Sequence, residues 1–87
     1  MDMRAKRGRF LISGIAMFTD IKAVQRVFSL CVPIRVEHLY ATDTFEIIAI
    51  GKPFREVEEG HETPWYDVVI TRDGRKLSVR FVEREVG

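Results

Sequence analysis

The chain has 87 residues, 46% hydrophobic and 31% charged, with a net charge of +1 from 14 basic and 13 acidic side chains. That length holds one hydrophobic core, so residues 1–87 read as a single domain, and the composition excludes a disordered chain. Apolar runs of a few residues fall short of the ~20 that span a bilayer, and near-neutrality excludes a whole-chain field drawing it to nucleic acid.

The chain opens on a basic lead-in, residues 1–9, carrying Arg4, Lys6, Arg7 and Arg9. No small-residue cleavage site follows the next apolar stretch, so this start does not read as a signal peptide. Residues 10–18 are apolar at both odd and even positions, as in a strand covered on both faces. Gly14 inside it signals a bulge or a close backbone approach.

Thr19 and Asp20 then read as a helix start, since either side chain can accept from free N–H groups of a first turn. Ile21, Val24, Phe28 and Cys31 recur at helical spacing, and Ala23, Val27 and Leu30 widen the stripe. Pro33 stops the helix, because the residue before a proline is pushed toward extended backbone. About three turns are too short to stand alone, so this helix must pack on a sheet.

Residues 34–40 alternate, with Ile34, Val36 and His38 on one side and Arg35, Glu37 and Leu39 on the other, as a half-buried strand does. Ala41, Thr42 and Asp43 read as a turn, and residues 44–50 as a central strand. Residues 51–64 hold Gly51, Pro53, Gly60 and Pro64 and form one long loop, a kind of segment that is often functional.

Asp73-Gly74 is the strongest hairpin signal in the chain. A two-residue turn there sets Ile70 opposite Leu77, Val68 opposite Val79 and Tyr66 opposite Phe81 on an apolar face. The other face then pairs Asp67 with Arg80 and Trp65 with Val82. The expected fold class is therefore α+β, a single short helix packed on a mainly antiparallel five-stranded sheet in the order β-α-β-β-β-β. One helix covers one face. The second face needs another cover, either the long loop through Phe54 and Val57 or a second copy of the chain.

Several groups could carry chemistry. Glu56, Glu58, Glu59, His61 and Glu62 gather acids around a histidine, but match no ligand spacing of known geometry, so no metal is assigned. Cys31 with His38 has the elements of a thiol nucleophile. Cys31 sits on the apolar helix stripe, however, where a free cysteine is ordinarily a small buried hydrophobe. Phosphate-loop, HExxH and CxxC patterns are missing from the sequence, so neither an enzyme nor a cofactor is expected.

Basic residues collect at Arg4, Lys6, Arg7 and Arg9 and again at Lys76, Arg80 and Arg84 near Trp65. Clustered cations beside an aromatic group are what phosphates and bases require, which makes nucleic-acid binding one alternative. Arg55 and His61 are the loop's candidate contacts for a small anionic ligand such as a nucleotide, a second alternative. As the only cysteine, Cys31 can form no internal disulfide, which fits a cytoplasmic location.

Within Phe45 to Ile70, the groups Gly51-Lys52-Pro53-Phe54, Glu59-Gly60 and Pro64-Trp65-Tyr66 resemble small accessory proteins encoded by bacteriophages. The resemblance implies a short chain that binds and modulates a host macromolecule. The leading expectation is thus a non-enzymatic module acting through protein–protein contacts as a homodimer, with Phe54, Val57, Trp65 and Arg80 as contact residues. Trp65 has a second reading, as a cover for the sheet within one chain.

Overall fold

The computed structural model describes residues 4–58 and 60–85. Its elements are β1 (Arg4–Ser13), α1 (Gly14–Thr19), α2 (Ile21–Leu30), β2 (Val32–Leu39), β3 (Thr44–Ile50), β4 (Glu56–Glu58), β5 (Tyr66–Asp73) and β6 (Lys76–Glu83). The fold is α+β and its ladders are antiparallel, but six strands form two sheets. One is four-stranded in the order β2-β3-β1-β4, and the other is the β5-β6 hairpin. This corrects the single five-stranded sheet. It also adds a second helix.

The first strand starts inside the basic lead-in and ends earlier than its apolar composition implies. Ser13 Oγ accepts from the Ala16 N–H at 3.1 Å and caps α1, so residues 14–19 turn helical. Gly14 N–H donates to the Asp43 carbonyl at 2.7 Å, and a Cβ at Gly14 would run into the Asp43 carboxylate. Thus Gly14 marks a close approach, as its position in an apolar run implied. Asp20 precedes α2 but makes no side-chain cap. Its carboxylate takes the Arg72 guanidinium instead.

The core lies on one face of the four-stranded sheet. Phe10, Ile12, Ile47 and Ala49 from β1 and β3 pack against Val27 and Cys31 of the α2 end, and against Phe54 and Tyr66. The α2 stripe is turned from its expected centre: Ala23 and Val27 are buried, while Ile21 is exposed. Phe81 joins the hairpin to this core, with ring centroids 5.2 Å from Phe10 and 4.9 Å from Phe54.

The hairpin register differs from expectation by two residues. Ile70 faces Val79, Val68 faces Phe81 and Tyr66 faces Glu83, with Gly74 and Arg75 as the turn. Gly74 has φ +61, the left-handed conformation that the first central position of a type II′ turn requires. Moving a two-residue turn by one position shifts every pair by two. Each side chain stays on its face, so alternation alone cannot separate the two registers. Charge separates them. The expected register set Arg72 directly opposite Arg75, whereas the observed one sets Asp73 opposite Lys76. Consequently Asp67 and Arg80 are not opposite each other, and Asp67 pairs with Arg84 at 2.7 Å.

Candidate functional site

The long loop is part of the fold. Residues 56–58 make β4, paired with β1 through Arg4–Glu58, Ala5–Val57 and Lys6–Glu56. Phe54 is 2% exposed and Val57 4% exposed. Both lie in the interior, so neither is presented to a partner, and the Phe54 ring covers the core face instead of the bare second one. Tyr66 Oη accepts from the Arg55 N–H at 2.9 Å and fixes the loop to the hairpin.

Trp65 is half-buried beside β1. It forms a parallel bridge with Arg9, whose N–H donates to the Pro64 carbonyl at 3.0 Å. The Arg9 guanidinium carbon lies 5.1 Å from the Trp65 ring centroid and that of Arg84 5.4 Å, a cation–π contact from each. Arg9 lies on the face of β1 turned away from the core. Trp65 therefore covers part of that face within one chain.

An open cleft of about 420 Å³ runs along Trp65, lined by Arg55, Glu62, Thr63, Pro64, Arg84 and Glu85. Its cations are already matched. Arg55 bonds Glu83 at 2.9 Å and Arg84 bonds Asp67 at 2.7 Å. An anion entering here would compete with a carboxylate at each arginine. His61 does not line the cleft with Arg55, and its Nε2 lies 3.8 Å from Glu58. The loop's two candidate ligand contacts are not brought together.

The basic groups are divided as well. Strand alternation sends Lys6 to one face of β1 and Arg7 and Arg9 to the other. Arg7 and Arg9 are half-buried, and the Nε of each is buried without a hydrogen-bond partner. Arg4 begins β1 in register with Glu58. Lys76 and Arg80 are exposed on β6, but Arg84 is tied to Asp67 and Trp65.

Cys31 and His38 stand at opposite ends of β2. The Cys31 thiol donates to the Val27 carbonyl at 3.4 Å, and burial pushes its pKa up to about 11. Burial thus favours the neutral thiol over the thiolate, the form on which nucleophilic reactivity depends. His38 Nε2 lies 2.8 Å from Asp43 Oδ1, with its ring stacked on Phe45 and tilted against Tyr40. This pair locks the β2–β3 turn, where Asp43 sits at φ +47. A histidine and an aspartate flanking a short turn were its signal in the sequence.

Large apolar side chains remain in water at several places, among them Tyr40 in the β2–β3 turn, the start of the helical segment and the length of β2. Ile15 and Phe18, three residues apart on α1, are 70% and 80% exposed, and Ile21 follows at the start of α2. Along β2, Val32, Ile34 and Val36 are exposed although the strand is extended and regular beyond Arg35. Sequence reasoning missed α1 because residues 10–18 carry no polar face. A small apolar groove of about 150 Å³ lies between β1, α2 and β5, lined by Leu11, Ala23, Val24 and Val68 among others.

Among the described residues, no group of three or more His, Cys, Asp or Glu side chains is placed to hold a metal ion. No helix among them is long and apolar enough to cross a membrane. Comparison with protein-family models, curated proteins and solved structures finds no match to this chain.

Proposed function

We propose that this chain is a non-enzymatic binding module that acts through protein–protein contacts in the cytoplasm. The observation that carries the reading is Phe18, 80% exposed on α1 beside Ile15. A capped helix anchored on the sheet holds a phenyl ring out in water. Apolar groups held this way are characteristic of contact sites, and aromatic residues dominate the energy of protein interfaces. The role of a phage-type modulator of a host macromolecule, implied by the resemblance, agrees with such a surface.

Complete burial of a phenylalanine by a partner contributes about 1.5–3 kcal/mol, roughly 10–150-fold in affinity. The test compares the wild type with Phe18→Glu in affinity capture from candidate hosts, after circular dichroism has shown both to be folded. A protein retained by the wild type and lost by the variant is the expected result. Equal retention of every captured protein by both removes this patch from function.

A further inference from the structure

We propose that the open edge of β2 pairs with β2 of a second copy, antiparallel about a two-fold axis through Val36. The inference rests on the protein-contact reading and deepens it by naming the occupant of one surface. The edge has the form that pairs. No other described strand bonds to it, it runs for eight residues, and Ile34 and Val36 are 56% and 54% exposed.

The direction of its free backbone groups follows from the ladders. Gly51 N–H donates to the Lys6 carbonyl and Gly14 N–H to the Asp43 carbonyl. In antiparallel pairing these bonds alternate, so positions 45, 47 and 49 of β3 bond toward β1, and Thr44, Glu46 and Ile48 bond toward β2. The β2 partners of those three are Leu39, Glu37 and Arg35. Val36 and His38, between them, turn their N–H and C=O groups to the open edge.

Charge then selects the register. Pro33 offers no N–H, and the register shift between Pro33 and Arg35 limits regular pairing at that end. With Val36 opposite its own copy, Ile34 lies opposite the other His38, and Arg35 lies opposite the other Glu37, twice by symmetry. Moving the pairing by two residues in one direction sets Arg35 against Arg35. Moving it in the other sets Glu37 against Glu37. A one-residue slip would bring bonded groups to the edge instead of free ones. Only the register centred on Val36 both matches the free backbone groups and sets Arg35 directly opposite Glu37.

Both charges are accessible and can take part. Arg35 and Glu37 side chains are 69% and 52% exposed, and their mutual separation is a loose 3.8 Å. Glu37 also lies directly opposite Glu46 in β3, so another guanidinium beside it relieves a like-charge pair.

The test is a charge exchange read by sedimentation equilibrium. The wild type is expected to dimerise, and Arg35→Glu and Glu37→Arg are each expected to raise the dimer Kd about tenfold or more, as each places like charges opposite at two symmetric positions. The double variant Arg35→Glu/Glu37→Arg restores the wild-type Kd. On the unaltered protein, hydrogen exchange at the Val36 and His38 amides should slow as concentration rises, with no change at Glu37, whose amide is already bonded to β3. This measurement decides the matter even if a single variant unfolds. A wild type that stays monomeric at high micromolar concentration overturns edge pairing, whatever Phe18→Glu does in capture. A dimer whose Kd ignores both single changes, or is not restored by the exchange, overturns it too.

Discussion

The contact between Gly8 and Phe54 yields a prediction in which the sign of an effect reverses. A Cβ at Gly8 would lie 2.8 Å from Phe54 Cε1 and closer still to Cδ1. The ring cannot step aside, because Phe10, Tyr66 and Phe81 surround it with centroids at 6.2, 5.0 and 4.9 Å. Gly8→Ala should therefore destabilise the protein by about 1–3 kcal/mol through overpacking. Phe54→Ala should cost about 3–5 kcal/mol through lost burial and the cavity left behind. Total stability for a domain is about 5–15 kcal/mol, so the second loss approaches the limit of what this chain tolerates. In the Phe54→Ala background the added methyl has room, and alanine removes the entropic penalty of a glycine in a strand interior, about 0.5–1 kcal/mol. There Gly8→Ala should stabilise. Urea denaturation of the four proteins measures this, with midpoints compared at constant slope. A coupling energy of at least about 1.5 kcal/mol is expected. If Gly8→Ala destabilises both backgrounds equally, the packing argument at Phe54 is wrong.

Two further outcomes follow from the charges and the thiol. Asp20 is held below its ordinary carboxylate pKa, chiefly by the hydrogen bond from Arg72. Its contribution is complete above the unfolded value of about 4 and is lost as pH falls through the depressed folded value. Melting temperatures from pH 2 to 6 should fall less steeply for Arg72→Ala than for the wild type, and parallel curves would refute the pairing. Cys31 has a pKa raised to about 11 by burial, so a thiolate-selective reagent at pH 8 should label it at least ~100-fold faster in urea than in the folded protein. Comparable rates would show that the thiol is not buried against α2.

Local patterns in the sequence determined the α+β class, the helix ending before Pro33 and the hairpin around Gly74, because period, proline and glycine each act within a few residues. They also marked residues 51–64 as unlike a central strand, and β4 is indeed short and at a sheet edge. Only the tertiary structure decided the rest. Residues 10–18 are apolar apart from Ser13 and Gly14, which suits a doubly covered strand and an exposed helix equally. The choice fell to the Ser13 cap and to the close approach of Gly14 and Asp43, groups 29 positions apart. Phe54 and Val57 looked like contact residues because nothing local shows that the loop folds back over Gly8 and pairs with β1. The division into two sheets and the open edge of β2 depend on which strands meet. Strand pairing is a long-range event that alternation leaves open, since a shift by two residues keeps every side chain on its face.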